Sequence, residues 1–206
     1  MFITYLLIGF TVAFSLWAFN NPDVIVKCKH WPYAEQRDKE YYRWLTAGFL
    51  HGDYMHLLFN MLTLYFFGGF VEQWFTIMFP GVGQLVYLFF YLIAIVAASL
   101  ATYYRYKDSP SFASIGASGA VSAVLFASIL IYPTNSLYLM FIPIPIPGIV
   151  FGIFYIWYSS RAAQRGGDGI DHVAHLYGAI FGLLFLLVLK PALLLSFFAQ
   201  LAEWVS

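Results

Sequence analysis

The sequence predicts an all-α polytopic membrane protein, a bundle of six transmembrane helices. Of its 206 residues 62% are hydrophobic and only 10% are charged, where a soluble domain carries about a quarter charged residues. The surplus apolar surface has to face lipid. The apolar residues also gather into six stretches near span length, about 20 residues, at roughly 1–19, 55–79, 83–104, 115–132, 147–160 and 172–189. Three of these stretches carry polar groups where hydrocarbon should be: His56 with Asn60, Ser118, and His175. Ionisable side chains at bilayer depth are costly and mark a functional site by default.

The first stretch has no Lys or Arg ahead of it. A secretory leader wants a positive start and a small-residue cleavage site, so 1–19 reads as an uncleaved first span. The 20–53 connection holds five basic and five acidic residues with interleaved aromatics such as Trp31, Tyr41, Tyr42 and Trp44, the signature of a segment lying at the membrane interface. The 105–114 and 159–171 connections are also polar, whereas 80–83 and 133–146 carry no charge. The fifth span looks short. From Gly148 to Tyr158, at about 1.5 Å per residue, it would cover about half of a ~30 Å hydrocarbon core. Pro143, Pro145 and Pro147 just before it favour extended backbone. Beyond Lys190-Pro191 the tail reads as an interfacial helix or a frayed end. One membrane domain over 1–206 is the expected organisation. Net charge is zero, with no basic block to suggest nucleic acid, and Cys28 is the single cysteine, so no internal disulfide is possible.

Consecutive spans alternate in direction, so spans two, four and six run parallel. His56, Ser118 and His175 each fall near the start of one of them, at similar depth beneath the three charged loops. A serine hydroxyl needs a base to take its proton, usually a histidine within hydrogen-bond reach, and His175 is the best candidate. Gly178 and Gly182 follow it at i+3 and i+7 on one helical face. Glycines so spaced let two helix backbones come close, here span six against span four, though simple helix packing explains them too. The Ser118 amide at a helix start has no intrahelical partner, and His56 and Asn60, four apart, could donate beside it to an oxyanion. A pair of polar helix–helix contacts is their alternative role. His51, about 140° around a helix from His56, is not expected to converge with it. Asp171 could orient His175 or cap the sixth helix. Ser122 is a weaker rival nucleophile. His172 and His175 lack a metalloprotease pattern, and no metal or cofactor is expected.

Several motifs resemble those of the rhomboid intramembrane serine proteases. His51-Gly-Asp-Tyr-Met-His56-Leu-Leu-Phe-Asn60 resembles their H-x-x-x-x-H-x-x-x-N segment, and Gly116-Ala-Ser118-Gly119 resembles G-x-S-G. Ala174-His175-Leu-Tyr-Gly178-Ala-Ile-Phe-Gly182 is similar to A-H-x-x-G-x-x-x-G. Tyr42-Arg43 and Gly68-Gly69-Phe-Val-Glu72 match an aromatic-Arg pair and G-G-x-x-E. The resemblance implies a rhomboid-like bundle with a Ser118–His175 dyad, an oxyanion site of His56, Asn60 and the Ser118 amide, and structural roles for Gly116, Gly119, Arg43 and Glu72. It implies cleavage of single-span transmembrane substrates admitted past a mobile fifth span. Members often carry an aromatic one turn after the nucleophile, packed on the histidine ring. Here that position is Ser122, so Tyr177 or a phenylalanine would have to hold the ring. Tyr177 also stands where many members have glycine, which could loosen the contact between spans four and six.

The resemblance implies an active site that opens to the outside, and a bacterial inner membrane is the expected setting. The positive-inside rule points the other way, because only Lys190 of the ten basic residues lies opposite the site. The basic loops are also rich in acids, and the family orientation is the one expected. The rival functions are an inactive relative that binds transmembrane helices and a small transporter. The first would lack the serine or histidine; the second would show an inverted repeat and intramembrane carboxylates.

Overall fold

A computed structural model describes residues 1–139 and 142–206, and it is an all-α bundle with one small hairpin. Its helices are α1 (Phe2–Phe19), α2 (Pro22–Cys28), α3 (Pro32–Asp38), α4 (Arg43–Thr46), α5 (Tyr54–Thr63), α6 (Gly69–Met78), α7 (Gly83–Tyr106), α8 (Ser118–Ile131), α9 (Gly148–Arg165), α10 (His172–Leu189) and α11 (Leu193–Val205). A π-helical turn, Leu64–Gly68, joins α5 to α6 into one 25-residue span. Four described helices are long and apolar enough to cross a membrane: α1, α5–α6, α7 and α10.

The fourth apolar stretch is shorter than 115–132. Helix α8 begins only at Ser118 and has 14 residues, about 21 Å at 1.5 Å per residue. Every residue of it after Ser118 is buried, as expected of a helix apolar on all sides. The helix falls short of a ~30 Å hydrocarbon core, and Ser118 is its first residue.

The fifth helix is not truncated. α9 runs 18 residues, to Arg165, because Arg161-Ala-Ala-Gln-Arg165 is polar yet made of strong helix formers. Arg105 Nη2 donates to Ala163 O at 2.8 Å, holding this last stretch against α7. Polarity was the wrong signal for a loop here. The prolines do mark extended backbone: β2 (Ile142–Pro147) pairs antiparallel with β1 (Ser136–Leu139). Prolines at alternate positions put every missing amide on one strand edge, which a two-stranded hairpin tolerates. The tail forms α11, and Gln200 Nε2 caps the end of α8 by donating to Ile131 O at 3.0 Å.

Two charged residues fasten elements together. Arg43, 6% exposed, donates to Val26 O and Lys29 O at 2.8 and 3.2 Å and pairs with Glu40, tying α4 to the end of α2. Glu72 accepts from Ile3 N, Thr4 N and Thr4 Oγ1 at 2.7–3.1 Å. A carboxylate at the otherwise unpaired first amides of α1 satisfies donors that have no water to turn to.

Candidate active site

The loop before α8 is fixed from outside. His30 and Ser114 exchange both backbone hydrogen bonds, at 3.0 and 2.9 Å, and Gly116 N donates to Ala47 O at 3.0 Å. Gly116 has φ +139°, where a side chain is strained, and a methyl group there would lie 2.8 Å from His56 Cε1, 2.9 Å from His56 Nε2 and 3.6 Å from Ser118 Oγ. Glycine is required here twice over, by conformation and by the ring beside it.

Helix α10 lies against α8 through its glycines. A Cβ on Gly178 would fall on Gly119 O, and one on Gly182 on Ala123 O. A Cβ on Gly119 would stand 3.4 Å from Ala174 O. The backbone of Ser118-Gly119 thus touches the turn of α10 that carries His175, and Tyr177 does not loosen it. That side chain is exposed.

Ser118, His175, His56 and Asn60 open into one cavity of about 810 Å³. No hydrogen bond of 3.5 Å or less joins Ser118 Oγ to the His175 ring among the described residues. Catalytic hydrogen bonds are often long before substrate binds and tighten in the complex. Gly52 N donates to His56 Nδ1 at 3.4 Å, which assigns the ring proton to Nε2, the nitrogen facing Gly116. Asn60 Nδ2 spends one donor on His56 O at 2.9 Å and keeps a second N–H.

One expectation changes, and two alternatives are resolved. His51 does meet His56: their rings are 4.9 Å apart, edge to face. It lies in the turn ahead of α5, where helical angles do not apply. Burial first, then the neighbouring His56, pull its pKa down to about 3, so it stays neutral with Nδ1 on Ser15 Oγ at 3.0 Å. Asp171 caps α10 through Ala174 N (2.9 Å) and accepts from Thr102 and Ser114; its carboxylate makes no hydrogen bond to the His175 ring. Ser122 donates to Ser118 O at 2.7 Å and meets Tyr155 Oη at 2.5 Å.

One aromatic beside His175 went unnoticed in the sequence. Tyr155 of α9, not Tyr177, brings its ring to 6.3 Å from that of His175. His172 stands edge to face at 5.7 Å and is itself bonded to Asp168 at 2.8 Å. That bond holds the Asp168 carboxyl below its usual pKa. The unaccompanied Ser122 was the only hint that an aromatic had to arrive from elsewhere.

Comparison with known proteins gives the same neighbourhood. The chain is 32% identical over 143 residues to RHOMBOID-like protein 12, mitochondrial, of Arabidopsis thaliana, covering 66% of this chain and 42% of that protein. It is 33% identical over 104 residues to Rhomboid protease GlpG of Haemophilus influenzae, 50% of this chain and 48% of that one. Against Rhomboid protein 1, mitochondrial, of Saccharomyces cerevisiae it is 28% identical over 196 residues, 89% and 52% of the two chains. The chain thus spans about half the length of these relatives. A family model of the rhomboid domain matches residues 38–192, a stretch that holds α5 to α10 with Ser118, and the chain belongs to the rhomboid family.

Proposed function

We propose that this chain is an intramembrane serine endopeptidase that hydrolyses peptide bonds in or near transmembrane helices. The observation that carries the reading is the contact of Gly119 with Ala174 and Gly178, which brings the turn of α10 that holds His175 against the start of α8, with Ser118 and His175 lining one cavity. Ser118 Oγ attacks the substrate carbonyl carbon while His175 takes its proton. The tetrahedral oxyanion forms between the Ser118 N–H, His56 Nε2–H and the free N–H of Asn60, donors set in place before the charge develops. His175 returns the proton to the leaving amine, and water then repeats the sequence on the acyl-enzyme.

The proposed substrates are single-span membrane proteins. A helix ties up its carbonyls, so the cleaved segment must unwind, and residues that weaken helices near the bond favour that. Substrate would enter from lipid past α9, whose Phe151 and Tyr155 border the cavity. The proposed setting is a bacterial inner membrane, with the site outward. The protein is an integral membrane protein by its spans and family, and family orientation is what supports the outward site. A cysteine introduced at Lys107 is expected to react with an impermeant maleimide in intact cells; protection until lysis overturns that orientation.

The decisive experiment incubates the purified chain in detergent with a panel of single-span substrates. Cleavage within the transmembrane segment or just beside it is expected, together with labelling of Ser118 by a fluorophosphonate. The gap between Ser118 Oγ and His175 favours one rival, an inactive relative that binds transmembrane helices. Co-purification of substrate with no cut and no label would establish it instead.

A further inference from the structure

We propose that Tyr155, anchored by Ser122, is the positioning residue that holds the His175 ring, so that α9 supplies the aromatic face absent from α8. This rests on the reading of His175 as the base.

The hydrogen-bond directions are fixed by elementary counting. A serine hydroxyl has one proton, and Ser122 gives it to Ser118 O, a carbonyl that can only accept. At the 2.5 Å contact Tyr155 must therefore donate to Ser122 Oγ. The chain Tyr155 O–H to Ser122 O–H to Ser118 C=O crosses from α9 to the first turn of α8. It is also cooperative, each bond polarising the next.

The ring is held on its other sides as well. Tyr155 packs at 5.4 Å from Phe126 of α8 and 5.8 Å from Phe151 of its own helix. Gly152, one turn before Ile156, is buried against Ile129 and Phe126. Tyr155 thus has a fixed hydroxyl and a fixed ring plane, tilted 35° to the imidazole of His175. Aromatic pairs at such separations attract beyond simple burial.

The other neighbour of the imidazole, His172, belongs to α10 and lies three residues before His175. It moves with His175 and cannot fix that ring relative to Ser118. Tyr155 can, because its anchor is Ser122, one helical turn from Ser118 on the same helix. Serine at 122 is then not a lost aromatic but the acceptor for one arriving from outside. A displacement of α9 would break the Ser122 bond and take the ring from His175, so the helix beside the cavity also governs how well the dyad is ordered.

The test uses the full chain in detergent micelles with a fluorogenic transmembrane peptide. Tyr155→Leu keeps an apolar side chain of comparable bulk and removes the ring. It is expected to lower kcat about 10-fold with KM changed less than about 2-fold. Tyr155→Phe keeps the ring without its anchor and is expected to lose about 3-fold. The double variant Tyr155→Leu with Ser122→Tyr returns a ring one turn after Ser118 and is expected to recover most of the lost kcat. A structural role alone predicts no such recovery. Parent-level kcat in Tyr155→Leu overturns the proposal, as does a double variant no faster than Tyr155→Leu alone. Those outcomes leave the protease reading intact. A parent that neither cleaves nor labels sinks both.

Discussion

Replacing Ser118 by alanine is expected to lower cleavage by about 10⁴-fold or more, to the background of the assay. His175→Ala is expected to do nearly the same, and the double variant is expected to be no worse than either single one. The reason is that nucleophile and base act as a unit: without the imidazole the hydroxyl keeps its proton, and without the hydroxyl the imidazole has nothing to activate. The measurement is initial rate against a single-span substrate, with fluorophosphonate labelling of Ser118 as the independent readout. Comparable cleavage by Ser118→Ala would remove Ser118 as nucleophile. Labelling that persisted after its replacement would point to another serine. Ser122 is a poor one, since its hydroxyl is committed to Ser118 O.

The sequence made the helices and the polar residues within them legible because lipid imposes a simple rule. Apolar runs of span length have few other uses, and an imidazole within one has to have a reason. The face shared by Gly178 and Gly182 could be read for the same cause, since spacing on one helix is a local property; that Gly178 meets Gly119 is visible only in the structure. What resisted were contacts set by three-dimensional placement. His51 meets His56 because a turn, not a helix, joins them. Tyr155 reaches Ser122 across 33 residues, and nothing within 148–165 distinguishes it from the aromatics that face lipid, such as Phe154 and Trp157. Helix ends were the other failure, in both directions. α8 starts later than its apolar run because Gly116 turns the chain at positive φ. α9 continues beyond its apolar run because alanine and arginine hold a helix in water as well as in lipid.

Gly178→Ala is expected to destabilise the protein by about 3 kcal/mol or more, a large effect for one methyl group. The added Cβ would overlap Gly119 O and stand 2.8 Å from Gly119 C and 3.0 Å from its Cα. All three are backbone atoms of a buried helix, so no side-chain rotation relieves the overlap. Either α10 moves away from α8 or the α8 backbone distorts at the residue after Ser118. Both routes pull His175, one turn above Gly178, away from the serine, so activity is expected to fall further than the folded fraction. Gly182→Ala meets Ala123 O in the same way, but two turns below His175, and is expected to cost stability with a smaller loss of activity per folded molecule. Gly9→Ala is the control: nothing lies within 4 Å of that position in α1, and removing a mid-helix glycine favours the helix by about 0.5–1 kcal/mol. Thermal unfolding in detergent beside cleavage per folded molecule separates the three. A Gly178→Ala protein that melts with the parent and cleaves at its rate would mean that the helices do not touch there, and the placement of His175 beside Ser118 would lose its mechanical basis.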